Sequence, residues 1–282
     1  MDENCKSDLL PEDEGISIEW VEDVLNAPNA VIIGRIEQVD NKKITILDRL
    51  PEVYHDYPDL FRPSTAEKLA PRRIFDYTID IKPDQQPPWG PICPVSEKQL
   101  NALRTYLDDM LAQGKILQSK SPAGAPILFV PKPDGRLRLV VNYTGLNKVT
   151  IHNKYPIPMM AELKDRVKNA QIFTKLDLQD GFHLIRIWKR DESKTAFRTR
   201  YGLYEYKVML FSMVNAPATF QTMMNKILRE FLDDRVVVYI DDILIYYKDP
   251  RIIPNSFGKY YNSLEISKWL YHWRRACFML RW

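Results

Sequence analysis

Asp241 and Asp242 stand side by side inside "VVVYIDDILIYY" (236–247), where almost every other residue is β-branched or aromatic. Such a run reads as buried β-structure, and an ionised carboxylate is costly to bury unless something pairs with it. A third aspartate, Asp177, closes another β-rich run, "IFTKLDL", 64 positions upstream, just before the turn signal Asp180-Gly181. Asp-Asp at a turn has an ordinary explanation, because aspartate caps turns through its own side chain. The strongly apolar flanks and the second Asp-bearing run weigh against it. If the two runs are neighbours in one sheet, three carboxylates converge at one edge, and they cannot all ionise there without a cation. Magnesium suits the position, since it takes hard oxygen ligands, one or two carboxylates together with substrate phosphates. Two such ions activate an attacking hydroxyl and stabilise a leaving phosphate.

Several elements must position these groups. "VVVYIDDILIYY" reads as a strand–turn–strand hairpin and "QIFTKLDL" as a strand, with "DGFH" as its turn. "NAPATFQTMMNKILREFL" reads as a helix with Asn215 as N-cap and Pro217 in the first turn. Upstream, Ser96 with Gln99 forms a capping-box pattern. Leu100, Leu103, Leu107, Met110 and Leu111 follow at helical spacing, and Gly114 ends that helix. In "APILFVPKPDGRLRLVVNY" two apolar runs flank Pro133-Asp134-Gly135, a hairpin signal. "AELKDRVKNA" reads as a short helix, and "IRIW", "TAFRT" and "YEYKVML" as further strands. Strands with segregated helices argue for an α+β fold.

Composition narrows the class. The chain has 282 residues, 45% hydrophobic and 27% charged, an ordinary globular profile long enough for two domains. There is no run of 18 apolar residues, so no membrane partner is expected, and the acidic start "MDENCKSDLLPEDEG" lacks the apolar stretch of a signal peptide. Cys5, Cys93 and Cys277 lie far apart with no Cys/His cluster, which argues against zinc and against a disulfide framework. An intracellular, reducing setting fits, with no clear targeting run. The net charge of +3 hides an asymmetry. Residues 1–60 hold 15 Asp/Glu against 5 Lys/Arg, a balance of −10, and the remainder 22 against 35, a balance of +13. A basic body fits a polyanionic partner.

"YIDD" in an apolar hairpin, preceded by "FTKLDL" and "NAPATF", resembles the reverse transcriptases of gypsy-type LTR retrotransposons, particularly fungal ones. The likeness runs from about Pro51 to Asp249 and includes "SPAGAPILFVPKPDGRLRLVVNY", "GLNKVTIHNKYPIP" and "KTAFRTRYGLYEYKVM". The resemblance implies a right-hand polymerase fold: fingers and palm, with an antiparallel palm sheet backed by helices. It implies an RNA-directed DNA polymerase, a nucleotidyltransferase in which a primer 3′-hydroxyl attacks the α-phosphorus of a deoxynucleoside triphosphate with two Mg²⁺ (or Mn²⁺) ions. The metal-binding and catalytic positions fall on Asp177, Asp241 and Asp242. Lys132 and Arg138, flanking the "PDG" hairpin, hold the triphosphate. Phe182 abuts the sugar 2′-carbon and excludes ribose, and the loop around Phe211 backs the incoming nucleotide. Tyr239 lies near the primer end. Lys154 and Arg198, with Lys148, Lys194 and Arg200, track the phosphates of an RNA or DNA template and its primer. The resemblance also implies a cytoplasmic particle or the nucleus as the setting.

The sequence departs from that family at three places. Leu210 and Ser212 replace the usual Pro and Gly of the loop, where a β-carbon is unwelcome if the backbone needs positive φ. Thr144 stands in place of the usual Arg. Residues 251–282 match nothing in the family pattern, and three of the six tryptophans (Trp269, Trp273, Trp282) fall there. The expected organisation is an acidic segment over 1–50, a proline-rich linker over 51–93, fingers and palm over 94–249, and a tail over 250–282 in place of a thumb and RNase H. The alternative is an inactive, truncated remnant that at most binds nucleic acid. A palm-like nucleotidyl cyclase is a third reading, and the "VPKPDGRLRLVVNY" hairpin argues against it.

Overall fold

The computed structural model describes residues 69–131, 135–170, 172–178, 181–248 and 276–280. The expectations for residues 1–50, for Lys132 and for most of the tail lie outside them. The chain divides into two compact units. The described part of the first comprises residues 69–154 and 182–219; that of the second comprises 155–181, 220–248 and 276–280.

In the first unit, helix α1 (Glu97–Ala112) starts at the expected capping box, with Ser96 and Gln99 bonding reciprocally, and stops at Gln113 before Gly114 at φ +66°. Leu103 and Leu107, one turn apart, carry its buried face, while Leu111 at the margin of the apolar stripe is exposed. Strand β1 (Ile116–Gln118) leads to the hairpin of β2 (Ile127–Pro131) and β3 (Leu137–Val141), in register from Ile127 opposite Val141 to Pro131 opposite Leu137. Helix α2 (Thr144–Val149) follows. Strand β5 (Phe197–Thr199) pairs with β6 (Gly202–Tyr206), and β6 with β1, giving a three-stranded antiparallel sheet. Phe197 and Tyr206, both buried, stack 4.9 Å apart. "IRIW" contributes only isolated bridges, Tyr77 to Ile187 and Arg186 to Val208, rather than the expected strand. "DGFH" closes into a 3₁₀ turn (Gly181–Leu184).

From Leu69 onward the proline-rich segment is extended, and parts of it are packed into the first unit. Tyr77 and Ile79 are fully buried. The amide of Ile79 donates to Asp191 Oδ2 (3.1 Å), and Lys194 Nζ donates to both Asp191 Oδ1 and the Ile79 carbonyl (2.6 Å each). Arg72 reaches Glu192 and the Ile187 carbonyl. Prolines withhold amide donors, so the segment makes isolated bridges (Tyr77 to Ile187, Ile81 to Thr150, Trp89 to Gly124) rather than a regular strand, and these side chains add to its hold.

In the second unit, β4 (Ile172–Leu178) is central. It pairs antiparallel with β8 (Asp242–Tyr247) on one side and β9 (Ala276–Leu280) on the other, and β7 (Val236–Tyr239) pairs with β8, in the order β7-β8-β4-β9. Strand β9 lies in the segment that matched no family motif. Every residue of β8 is buried, which explains why its sequence shows no alternation: neither face meets water. Leu163 and Val167 of helix α3 (Met160–Val167) pack against Val237, Leu244 and Tyr246, with Tyr239 at the edge. Each such apolar side chain contributes about 1.5–3 kcal/mol on burial. Helix α4 (Ala216–Ile227) starts in the first unit and continues into the second. The expected N-cap is otherwise engaged: the side chain of Asn215 accepts from the Asn153 amide (2.9 Å) and donates to the Ile151 carbonyl (2.8 Å). Among the described residues no helix is long and apolar enough to cross a membrane.

Candidate catalytic carboxylate hairpin

The β4–β8 register sets Asp177 directly opposite Asp242, and the β7–β8 register sets Tyr239 opposite Asp242. Ile240 and Asp241 form the two-residue turn between them. Residues directly opposite in an antiparallel pair share a face, with Cα atoms about 4.5–5.5 Å apart. The backbone therefore brings all three aspartates to one end of the sheet. Asp242 is buried and Asp241 half-buried.

The turn is strained. Ile240 sits at φ +54°, a conformation that a β-branched residue rarely adopts and that costs about 1–3 kcal/mol. It persists because the turn is held from behind. The Ile240 amide donates to Gln221 Oε1 (2.7 Å), and Gln221 Nε2 donates to the Val238 carbonyl (3.2 Å). Gln221 is fully buried on α4. No motif in the sequence assigns this glutamine a role. The available signal was a lone amide among Phe220, Met223 and Met224. At the end of the hairpin away from the turn, Tyr246 donates to the Asp233 carbonyl (3.3 Å), and burial pushes its hydroxyl pKa up, against the opposing charge of Arg166.

The residues expected to meet nucleotide and nucleic acid lie mostly in the first unit. Phe182 is buried and meets Phe211 edge-to-face at 5.1 Å. Arg138 is exposed on β3 opposite Val130. The loop after Phe211 is clamped by Asn147, which donates to the Ser212 carbonyl (2.9 Å) and accepts from the Val214 amide (3.0 Å). Ser212 is not among the residues at positive φ, so its β-carbon brings no backbone strain. Lys154 is exposed. Arg198 stacks on Trp89 (4.2 Å to the ring centroid) and donates to the Gly90 carbonyl. Lys194, engaged by Asp191 and Ile79, is a structural cation.

Antiparallel sheets with packed helices and an aspartate hairpin beside a central Asp-bearing strand define the right-hand polymerase class. Solved structures agree. The fold is similar to prototype foamy virus protease-reverse transcriptase (TM-score 0.67, 24% identity, 80% of this chain and 29% of that one). It is also similar to the foamy viral protease-reverse transcriptase in complex with RNA/DNA hybrid (TM-score 0.65, 19% identity, 94% and 32%). Residues 130–268 match the family described as reverse transcriptase (RNA-dependent DNA polymerase), a match that extends past Asp249. The transposon Tf2-3 and Tf2-7 polyproteins of Schizosaccharomyces pombe are each 39% identical over 201 residues, 71% of this chain. The chain carries a reverse transcriptase domain of the retrotransposon-polyprotein kind, and it spans about 15% of the length of those polyproteins.

Proposed function

We propose that this domain is an RNA-directed DNA polymerase that extends a primer on an RNA or DNA template. The observation that carries the reading is the register that sets Asp177 opposite Asp242 with Asp241 in the adjoining turn. Reverse transcriptases use divalent metal ions, and three aspartates brought by the backbone to one end of a sheet offer the hard-oxygen donors that magnesium takes. Asp177, Asp241 and Asp242 would hold two ions, which supply Lewis-acid stabilisation of phosphoryl charge. The chain's own residues do the rest. The hairpin fixes the carboxylates, Tyr239 borders the primer end, and Phe182 against Phe211 forms a rigid wall for the deoxyribose. Lys132 and Arg138 bind the triphosphate, while Lys154 and Arg198 add contacts to the nucleic-acid backbone. Foamy viral relatives of this fold have been solved with dsDNA and with an RNA/DNA hybrid, which supports duplex as the partner class.

The test is primer extension on a primed RNA template with deoxynucleoside triphosphates and Mg²⁺. Extension by the parent and none by Asp241→Asn is expected. Absence of extension by the parent under conditions where a longer relative extends would overturn the reading.

A further inference from the structure

The strained turn is the end of a longer polar chain, all within the second unit. Gln221 Nε2 also donates to Asn225 Oδ1 (2.9 Å), one helical turn on, and Asn225 Nδ2 donates to the Tyr155 hydroxyl (2.9 Å). The direction of this chain is forced. The Ile240 amide can only donate and the Val238 carbonyl can only accept, so the Gln221 amide has one possible orientation. Asn225 must then turn its oxygen to Gln221 and its NH₂ to Tyr155. Tyr155 ends the "IHNKY" loop, in sequence far from the aspartates, and connects to the turn through these two amides.

We propose that Tyr155 and Asn225 are positioning residues, acting through Gln221 to hold the Ile240–Asp241 turn in its left-handed conformation. They thereby set how fast the carboxylates reach their working arrangement. The proposal rests on the polymerase reading for its kinetic consequence and on geometry alone for its structural one. A left-handed isoleucine has no intrinsic reason to stay where it is, and its one fixed hydrogen bond ends on a side-chain amide. If that amide is free to rotate, the turn relaxes and Asp241 moves with it. The Val238 carbonyl and Asn225 together restrain that rotation, and Tyr155 restrains Asn225.

The experiment has two arms on the full chain. In the first, single-nucleotide incorporation is measured on pre-bound primer-template for Tyr155→Phe, Gln221→Leu and the double variant. Tyr155→Phe lowers kcat about fivefold, the rate equivalent of one hydrogen bond's net worth. KM for the nucleotide and Kd for primer-template stay within about twofold. In the Gln221→Leu background the same change has no further effect, because the relay is already cut. A general loss of fold would instead lower binding and kcat together and would add in the double variant.

The second arm is independent of catalysis: hydrogen exchange of the Ile240 amide. Exchange speeds up about fivefold in Tyr155→Phe and more in Gln221→Leu, with the unfolding midpoint of Tyr155→Phe close to the parent's. Should the parent fail to incorporate nucleotide, the polymerase reading falls and this arm alone judges the relay. Unchanged Ile240 exchange in Tyr155→Phe, or a kcat effect that persists in the Gln221→Leu background, overturns the proposal.

Discussion

Neutralising one carboxylate of the hairpin should make the metal-free protein more stable while removing its activity. Asp242→Asn is the cleanest perturbation, because Asp242 is buried, sits opposite Asp177 in register, and keeps its shape as asparagine. Directly opposed residues have Cα atoms about 4.5–5.5 Å apart, and two unit charges at that spacing and an effective dielectric of about 20 repel by about 3 kcal/mol. Hydrogen bonding and water at the sheet end absorb part of this, which leaves an expected gain of about 1–2 kcal/mol. For a domain of this size each kcal/mol moves Tm about 2–4 °C, so Asp242→Asn should melt roughly 2–8 °C above the parent in EDTA. Magnesium then inverts the order. At a hundredfold excess over Kd a bound ion stabilises the parent by about 2.7 kcal/mol and the variant by little. Extension activity falls by more than about 100-fold, since changes merely behind a metal ligand already cost 10- to 100-fold. The assay is a pair of melting curves, EDTA against Mg²⁺, beside primer extension. A variant that melts below the parent in EDTA, with magnesium shifting both equally, would refute the reasoning.

Three further outcomes are expected. Asp191→Ala leaves the buried Ile79 amide and Lys194 without their partner and should cost about 2–4 kcal/mol in urea unfolding, with Lys194→Ala costing less because that side chain is partly exposed. Burial holds the Tyr143 and Tyr206 hydroxyls well above their ordinary pKa of 10.0, so both stay protonated when the unfolded chain begins to lose its tyrosine protons. The stability they provide is complete below pH 10 and declines as pH rises above it, by up to about 1.4 kcal/mol per pH unit for each group. Urea midpoints from pH 8 to 11 should therefore fall above pH 10, and Tyr206→Phe should flatten that fall. Finally, a β-carbon at Gly124 would lie 2.7 Å from the Arg198 side chain and 2.9 Å from the Trp89 ring. Gly124→Ala should cost about 1–3 kcal/mol and change Trp89 fluorescence by breaking the stack.

The sequence by itself determined the elements that local chemistry dictates. Ser96 and Gln99 announced their helix, "PDG" its hairpin, and "VVVYIDDILIYY" two buried strands around a turn, because caps, turn residues and apolar runs act over a few positions. The pairing of Asp177 with Asp242 was legible as a condition, two Asp-bearing runs that had to be neighbours, and the register met it. What tertiary structure decided was which polar groups are already taken. Lys194 looked like a phosphate contact and is held by Asp191. Asn215 stands at the helix start, where its carbonyl accepts from the Thr219 amide, and its side chain ties down the Ile151–Asn153 loop. Ser212 looked strained and is not. The partners of Asn215 lie more than sixty positions away, and Lys194, held by Asp191 three positions back, also reaches the Ile79 carbonyl 115 positions away; no local pattern records such long-range partners. The same holds for the turn. The sequence showed where the carboxylates sit, but only packing could supply the buried amide of Gln221 that keeps an isoleucine left-handed beneath them.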